Sequence, residues 1–396
     1  MAEVKPAIET FAKIKVVGVG GSGGAAVNRM VQSKIKGVDF IAINTDVQAL
    51  HHSSANTRMH IGKTTTRGLG AGMDPSLGRQ AAEENQEDIR DMLRGTDMVF
   101  ITCGLGGGTG TGASPIVANI AKEAGALTVA VVTKPFSFEG AQRRELAEKG
   151  FHELADKVDA IITIPNDKLL QVIDKKTSLL ESFAIVDDVL RQGVQGIAEL
   201  ITVPGLVNVD YADVKAIMDD AGSALMGIGL ASGENRAAEA AKAAITSPLL
   251  ELSINGAKGI LFTVVGGKDL GMQEVNDAAK VITQQADPNA KIIFGAVINE
   301  DLKDEIKVTV IATGFSEKRE SSETFNSTES SYTPSRFIEE ITETSSTQDK
   351  EELNDILKPP AKNKKVSKPI STPKIQAKAD EEELDIPAFI RKKIKK

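Results

Sequence analysis

The stretch Gly104-Leu105-Gly106-Gly107-Gly108-Thr109-Gly110-Thr111-Gly112 follows an apolar run and precedes a helical pattern. In such a turn, the backbone N–H groups and the positive end of the following helix can face phosphate oxygens. The two threonine hydroxyls among the glycines offer further donors, which a purely structural turn does not need. The stretch therefore predicts a phosphate-binding loop between a strand and a helix of an α/β fold.

A second glycine-rich loop, Val17-Gly18-Val19-Gly20-Gly21-Ser22-Gly23-Gly24, lies about ninety residues earlier, again between an apolar run and a helical pattern. Together the two loops could enclose a di- or triphosphate. On its own the earlier loop is ambiguous, because its glycines also fit the GxGxxG of a dinucleotide fold. With Asp39 or Asp46 as the later acidic residue, that alternative is an NAD-dependent oxidoreductase, but it leaves the Gly/Thr loop unexplained.

The composition predicts a soluble, cytoplasmic protein. The 396 residues are 41% hydrophobic, without an apolar run long enough to span a membrane or a signal-peptide pattern. A net charge of −8 and an aromatic content of 4% argue against nucleic acid as a partner. The single cysteine, Cys103, excludes an intrachain disulfide, and we expect it in the core. We expect the four histidines at the surface and no metal site built from protein side chains.

Short apolar runs alternate with helical patterns from residue 13 onward, which predicts a Rossmann-like domain with a parallel sheet. The predicted strands are Ile14–Val19, Phe40–Asn44, Met98–Cys103, Leu127–Thr133 and Ala160–Ile164, and the helices include Ser76–Leu93 and Pro115–Ala124. A long helix from Ser178 to Leu200, ended by Pro204-Gly205, leads to a smaller α+β region. That region has predicted helices over Glu234–Ile245 and Met272–Ala286 and strands near Gly259–Val265, Lys291–Val297 and Lys307–Thr313.

These patterns divide the chain into six segments. They are a flexible N-terminus (residues 1–12), an α/β domain (13–177), a central helix (178–205), an α+β domain (206–316), a polar linker (317–380) and a terminal peptide (381–396). The linker composition is typical of disorder. In the terminal peptide, apolar residues lie between acidic and basic flanks, as in a docking peptide. Its candidate contact residues are Asp385, Ile386, Pro387, Phe389, Ile390 and Arg391.

The loop Gly106–Gly112 is the signature of the tubulin/FtsZ family, which the chain resembles from about Ile14 to Phe315. Further matching segments include Asn44-Thr45-Asp46, Thr133-Lys134-Pro135-Phe136 and Asn208-Val209-Asp210-Tyr211-Ala212-Asp213-Val214. The resemblance implies the tubulin/FtsZ fold and a GTPase that assembles into head-to-tail filaments at the mid-cell division site of bacteria. The terminal peptide is similar to the family's tail peptide, which implies an actin-like membrane tether and other division proteins as partners.

The resemblance also implies a set of contacts to GTP or GDP, with Mg²⁺ held by phosphates and water. The phosphates would lie between the two glycine-rich loops, the ribose beside Glu139 and Arg143, and guanine on the ring of Phe183. The carboxylate of Asp187 would accept hydrogen bonds from N1–H and N2–H of guanine, two adjacent donors that adenine lacks. The complete implied set is Gly20, Gly21, Ser22, Gly23, Gly24, Ala25, Asn44, Ala71, Gly72, Gly107, Gly108, Thr109, Gly110, Thr133, Glu139, Arg143, Asn166, Phe183 and Asp187.

Neither glycine-rich loop contains a carboxylate that could activate water for hydrolysis. The resemblance implies that the next subunit supplies it: Asp210 and Asp213 would orient and activate water, and Asn208 would help to hold the nucleotide or the water. From the residues alone, this Asn-x-Asp-x-x-Asp segment also fits an N-cap cluster. A head-to-tail contact that does not close generates a filament, so assembly and hydrolysis would be coupled.

Two other classes of nucleotide-binding protein are alternatives to a tubulin-like GTPase. A nucleotide-binding adaptor without hydrolysis would be favoured if Asp210 and Asp213 were absent, but both are present. A P-loop GTPase is disfavoured because the chain has no GxxxxGK[ST].

The chain departs from the family pattern at three places. Ser22 replaces a glycine, Gly24-Ala25 stand where relatives often carry Asn, and Asp74 stands where Asn is usual. The missing Asn side chain removes one expected polar contact to the nucleotide. A carboxylate at position 74 is expected to change the electrostatics near the γ-phosphate.

Overall fold

A computed structural model describes residues 12–170, 177–203, 205–247, 253–300 and 302–315. The predicted end of the long helix at Pro204, the linker and the terminal peptide with Asp385, Ile386, Pro387, Phe389, Ile390 and Arg391 lie outside the described residues. Within them, no helix is long and apolar enough to cross a bilayer.

The first half forms a parallel sheet, as its alternating pattern predicted. Its strands are β1 (Ile14–Val19), β2 (Val38–Asn44), β3 (Thr57–His60), β4 (Met98–Gly104), β5 (Leu127–Lys134) and β6 (Ala160–Pro165), in the order β3-β2-β1-β4-β5-β6. Adjacent residues of β1, Val16 and Val17, are fully buried in the cores on opposite faces of the sheet. Continuous apolar runs are expected where helices cover both faces of a parallel sheet.

The helices of this half are α1 (Gly20–Gln32), α2 (Val47–His51), α3 (Pro75–Glu84), α4 (Gln86–Leu93), α5 (Thr109–Glu123), α6 (Ala141–Ala155) and α7 (Asn166–Leu169), with a 3₁₀ turn at Ser137–Glu139. The single helix predicted over Ser76–Leu93 is wrong, because it is interrupted at Asn85. The Asn85 side chain accepts a hydrogen bond from the Gly62 N–H at 3.0 Å and donates one to Asp88. Asparagine side chains compete with the helical backbone in this way.

Helix α5 begins at Thr109, six residues before the predicted start at Pro115. Glycine and proline disfavour helices, so the sequence pattern hides its first turns. The glycines are required by packing instead. A Cβ atom at Gly112 would lie 1.9 Å from the carbonyl oxygen of Pro75, because α3 crosses α5 closely there.

The long helix α8 (Leu179–Thr202) packs with α1 against one face of the sheet. Ser178 begins it: its hydroxyl accepts a hydrogen bond from the Glu181 N–H, and Glu181 accepts one from the Ser178 N–H. This reciprocal pair is a capping box. A helix of 24 residues is about 36 Å long, so its two ends are far apart.

The second half contains α9 (Tyr211–Met218), β7 (Gly222–Ser232), α10 (Arg236–Ile245), β8 (Gly259–Gly266), α11 (Met272–Thr283), β9 (Lys291–Ile298) and β10 (Glu305–Thr313). Strand β7 pairs with β6 in parallel and with β10 antiparallel, so the sheet continues as β6-β7-β10-β8-β9. The sequence analysis did not predict β7, which is rich in glycine. A Cβ atom at Gly229 would lie 2.0 Å from the carbonyl oxygen of Ala240, so this glycine lets α10 pack closely.

Candidate functional site

A cavity of about 510 Å³ lies at the carboxyl ends of β1, β4 and β5, between the two glycine-rich loops. Open parallel sheets bind ligands at this edge. Fourteen of the nineteen implied contact residues line this cavity: Gly21, Ser22, Ala25, Gly72, Gly107, Gly108, Thr109, Gly110, Thr133, Glu139, Arg143, Asn166, Phe183 and Asp187. The fold therefore brings together residues that are up to 166 positions apart in the chain (Gly21 to Asp187).

The remaining five implied residues lie beside this cavity. Gly20, Gly24 and Asn44 line a smaller neighbouring cavity of about 130 Å³, which Gly21 and Ala25 also line. Gly23 and Ala71 line neither cavity. A Cβ atom at Gly23 would lie 2.3 Å from the Thr102 carbonyl oxygen, and a Cβ atom at Gly108 would lie 2.6 Å from the Ala71 carbonyl oxygen. Both residues thus shape the loops through backbone packing.

Two helix N-termini face the cavity without a side-chain cap. Helix α1 begins after Val19 and α5 after Gly108, and neither has a capping hydrogen bond or an acidic residue in its first turn. Asp46, Asp74 and Ser178 cap α2, α3 and α8, whereas α4, α6, α7 and α10 also have no capping side chain, so it is their position at the cavity that distinguishes α1 and α5. Uncapped N–H groups and two positive helix ends favour a bound anion such as a polyphosphate.

Several glycines of the loops have open space where a side chain would begin. A Cβ atom at Gly21 or Gly107 would meet no atom of the described residues within 4 Å beyond its own stretch of chain, although both residues line the cavity. At Gly108, in contrast, the Cβ atom would clash with backbone. Packing therefore explains Gly108, whereas Gly21 and Gly107 keep space free inside the cavity.

Hydrogen bonds fix the Gly/Thr loop to its neighbours. The Thr109 and Thr45 hydroxyl oxygens lie 2.6 Å apart in a buried pair, and the Thr111 hydroxyl accepts a hydrogen bond from the Gly106 N–H at 2.9 Å. The Gly108 N–H donates to the Gly72 carbonyl oxygen at 2.8 Å. Both threonines of the signature thus hold the loop in shape, a role that the sequence analysis did not assign to them.

The far end of the cavity is suited to a planar base. The Phe183 ring, 42% exposed, packs edge to face with the buried Phe136 at 5.8 Å, and Phe136 stacks on Phe138 at 4.9 Å. Asn166 is buried, and its Oδ1 atom has no hydrogen-bond partner among the described residues. A buried unpaired acceptor in a cavity wall is a candidate contact for a ligand N–H.

Asp187 is a partly buried carboxylate beside this aromatic wall. No described residue forms a hydrogen bond to it. Burial raises its pKa to about 6, and the positive charge of Arg29 acts in the opposite direction. Glu139, the other carboxylate of the cavity, is already engaged, because it pairs with Arg143 at 2.6 Å and accepts from the Phe136 N–H. Asp187 is thus the cavity carboxylate left free for a ligand donor.

The departures from the family pattern have local consequences. Asp74 caps α3 by accepting hydrogen bonds from the Ser76 N–H and hydroxyl, which together lower the pKa of its carboxyl group. Ala25 lines both cavities and offers them no polar side-chain atom. Ser22 is exposed at the mouth of the larger cavity, close to Gly104.

The predicted catalytic residues lie beyond the other end of α8. Asn208, Asp210 and Asp213 are all exposed; the first two lie in the segment that joins α8 to α9, and Asp213 lies in the first turn of α9. Asn208 accepts a hydrogen bond from the Gly205 N–H at 2.6 Å, and Asp210 caps α9 by accepting from the Asp213 N–H at 2.8 Å. The N-cap interpretation therefore holds for Asp210. The Asp213 carboxylate forms no hydrogen bond with the described residues.

Two further predictions concern Cys103 and the histidines. Cys103 is fully buried in β4, as predicted, and burial raises its pKa to about 11. His51, His52 and His152 are exposed, as predicted. His60 is not: it is partly buried, with its Nε2 atom buried and unpaired within the described part of the chain.

Neither Phe136 nor Arg29 is among the site residues predicted from the sequence. Phe136 packs against Phe183, and Arg29, on α1, donates a hydrogen bond to the Ala184 carbonyl oxygen of α8. The segment Thr133-Lys134-Pro135-Phe136 was noted only as a matching motif. No pattern in the sequence indicates that Arg29 approaches α8, because 155 positions separate it from its contact at Ala184.

Comparisons with known proteins agree with this arrangement. Residues 13–174 match the family described as "Tubulin/FtsZ family, GTPase domain", and residues 222–316 match "FtsZ family, C-terminal domain". An empty FtsZ dimer from M. jannaschii is 47% identical, with a TM-score of 0.75, over 77% of this chain and 89% of that chain. Two Haloferax volcanii proteins share the fold. The GDP-bound CetZ1 monomer is 20% identical with a TM-score of 0.67, covering 77% of this chain and 95% of its own. The GTPγS-bound CetZ2 protofilament is 22% identical with a TM-score of 0.65, and the match covers 78% of this chain and 96% of that chain.

Proposed function

The chain belongs to the tubulin/FtsZ family, and we propose that it hydrolyses GTP between the subunits of a head-to-tail filament. One observation carries the proposal: the nucleotide-sized cavity and the exposed segment Asn208–Asp213, here called the carboxylate segment, lie at opposite ends of α8. A single subunit cannot bring Asp213 to its own cavity across a helix about 36 Å long. A second subunit stacked in the same orientation brings the two ends together.

In this proposal the triphosphate lies against the uncapped ends of α1 and α5, and the base lies against Phe183. Asp187 and the unpaired Oδ1 atom of Asn166 accept hydrogen bonds from guanine N–H groups. Adenine presents an acceptor at N1 and would leave Asp187 facing a lone pair, so the site selects guanine. The alternative of an NAD-dependent oxidoreductase does not account for the second uncapped helix.

Catalysis is assigned to the neighbouring subunit's carboxylate segment. Asp213 is the uncommitted carboxylate and acts on the attacking water, while Asp210 holds the start of α9 and completes the polar environment. Asn208 helps to position the nucleotide or the water. When bound, Mg²⁺ would neutralise phosphate charge, and phosphate and water oxygens would hold it.

The two ends of the subunit also carry exposed apolar side chains that a filament would cover. Leu69 and Phe138, exposed by 86% and 64%, lie in segments beside the cavity, and Leu206, exposed by 66%, lies beside the carboxylate segment. Exposed large apolar residues on two faces are expected where each face binds the other in an open, heterologous contact.

We further propose that the filament forms a division ring at mid-cell in the cytoplasm and that residues 385–391 bind an actin-like membrane tether and other division proteins. Phe389, Ile386 and Ile390 would supply the apolar contacts. A peptide of residues 381–396 is expected to lose affinity for the tether when Phe389 is replaced by alanine. Undiminished affinity would show that the apolar residues are not the recognition element.

The filament proposal is tested by measuring GTP hydrolysis and light scattering over a range of protein concentrations. Turnover per subunit is expected to rise sharply above the concentration at which scattering begins, because each active site needs two subunits. Hydrolysis proportional to protein concentration throughout would overturn the shared site. Assembly with GTP but without phosphate release would instead favour the non-hydrolysing adaptor.

A further inference from the structure

Arg29 connects α1 to the part of α8 that carries Asp187. It lies one turn after Ala25, which lines the cavity, and its Nη2 atom donates to the Ala184 carbonyl oxygen at 3.1 Å. Ala184 lies one turn before Asp187. Arg29 itself lines a separate surface groove with Glu181, Ala184 and Asp188, and it is not among the residues that line the nucleotide cavity.

The other charged groups near Asp187 are engaged with one another. Across the cavity, Glu139 pairs with Arg143. On α8, Asp188 accepts hydrogen bonds from Arg191 and Gln192. Of the charged side chains described, Arg29 is the one whose charge acts on the partly buried Asp187 carboxyl group, where it opposes the effect of burial on the pKa. The same charge also helps to lower the pKa of Asp188.

We propose that Arg29 is a positioning residue for base recognition, which anchors the Ala184–Asp187 turn and keeps the Asp187 carboxylate ionised when guanine binds. The inference rests on the proposed function, because it concerns how Asp187 reads the base. An ionised carboxylate accepts hydrogen bonds at both oxygens, whereas a protonated one presents an O–H to the guanine donors. A purely structural arginine would stabilise the α1–α8 contact without affecting how base recognition depends on pH.

The first measurement is the affinity of the full-length, nucleotide-free protein for GTP between pH 5.5 and 8.5. Wild-type protein is compared with Arg29→Met, Arg29→Gln, Arg29→Lys and the control Arg191→Met, which removes a cation that pairs with Asp188 instead. Protonation of the nucleotide's own phosphates is common to all variants and cancels in the comparison. Arg29→Met and Arg29→Gln are expected to move the pH midpoint of binding up by about one unit.

With that shift, GTP binding by the two neutral variants is weakened by about threefold near pH 6.5, approaches a loss of about tenfold near pH 5.5, and returns to the wild-type value at pH 8.5. Arg29→Lys retains the charge and is expected to restore the midpoint, and Arg191→Met is expected to leave it in place. Weakening by the same factor at every pH would overturn the proposal, because it would mean that Arg29 acts through packing alone.

A second measurement separates this inference from the guanine assignment. The Asp187 carboxyl group is titrated by ¹³C NMR in nucleotide-free protein, with its resonance identified from Asp187→Asn. An unchanged Asp187 midpoint in Arg29→Met overturns the role of Arg29, whatever the nucleotide preference. A raised midpoint together with equal GTP and ATP affinity in wild-type protein would support the role of Arg29 while refuting the guanine assignment.

Discussion

The candidate functional groups near the two ends of α8 differ in burial and in hydrogen bonding. Near the N-terminal end, the partly buried Asp187 carboxylate and the buried Oδ1 atom of Asn166 form no hydrogen bond with the described residues, and glycines of the same cavity leave space unfilled. At the C-terminal end, Asn208 and Asp210 are exposed and already bonded to local backbone. The first end resembles a binding site within one subunit. The second has the structure of an ordinary loop and helix cap.

This difference shows what a single subunit reveals about a shared site. Unpaired buried groups and open space can be recognised without a partner, because they are unfavourable unless something binds. Surface carboxylates are satisfied by water and carry no such signal. Their proposed role depends on a second subunit, so only experiments on assembled protein can test it.

The largest effect is expected from Asp213→Ala at the exposed end. Turnover by assembled protein should fall by about 10²-fold or more, the usual scale for removing a group that activates the nucleophile. GTP affinity of the free subunit should stay unchanged, because Asp213 lies far from that subunit's own cavity. Phosphate release and nucleotide binding are measured in parallel.

Asp219→Ala is a suitable control for Asp213→Ala, since Asp219 is also an exposed carboxylate and lies at the other end of α9. Its turnover should match the wild-type value. Mixed filaments of Asp213→Ala and wild-type subunits should also turn over slowly. Full activity of Asp213→Ala would remove the functional distinction between the two carboxylates.

At the buried end, Asp187→Ala should weaken GTP binding by about 10- to 100-fold and reduce the preference for GTP over ATP, because two guanine donors lose their acceptor. Affinities for both nucleotides are measured by calorimetry. Since the phosphate contacts remain, ATP binding should change little. Equal loss of GTP and ATP affinity would assign Asp187 to the shape of the cavity and not to base recognition.

A smaller effect on GTP affinity or on stability is expected from alanine substitutions in the Gly/Thr loop, where Gly107 faces open space and Gly108 packs against backbone. A methyl group at Gly107 meets open space, so Gly107→Ala should fold with an unchanged or slightly raised Tm and lose about tenfold in GTP affinity. Gly108→Ala should instead destabilise the fold by about 1–3 kcal/mol, because its Cβ atom would contact the Ala71 carbonyl oxygen. Thermal unfolding of the nucleotide-free proteins is compared with GTP titration. Normal GTP affinity in Gly107→Ala would show that the space near Gly107 is not used by phosphate.

The sequence predicted most of the parallel sheet and both loops, because apolar runs and glycine clusters are local patterns. It failed at Asn85 and at the start of α5, where hydrogen bonding and close packing from other segments override local preference. It also missed β7, whose Gly229 is explained by contact with α10. The contributions of Phe136 and Arg29 depend on residues far away in the chain, so no local pattern carries them. The pairing of Asp213 with the cavity came from family resemblance alone.

The smallest expected effect is on the pH dependence of folding stability, and it differs between the neighbouring carboxylates Asp187 and Asp188. Burial raises the pKa of Asp187 to about 6, above its ordinary value of 3.8, so its ionisation destabilises the folded state as pH rises through about 6. Asp187→Asn should therefore stabilise nucleotide-free protein at pH 7.5 and much less at pH 4.5. A two-unit shift corresponds to about 3 kcal/mol, which partial solvent exposure reduces to about 1 kcal/mol.

Asp188 should respond in the opposite direction. Burial acts to raise its pKa, but hydrogen bonds from Arg191 and Gln192 outweigh burial and lower it. The stability that Asp188 contributes is thus present above the ordinary pKa and is lost as pH falls, so Asp188→Asn should destabilise the protein at pH 7.5. Tm values at the two pH values, without nucleotide, give both comparisons. If Asp187→Asn also destabilises at pH 7.5, then the Asp187 carboxylate has a stabilising partner in the free protein and is not held in reserve for guanine.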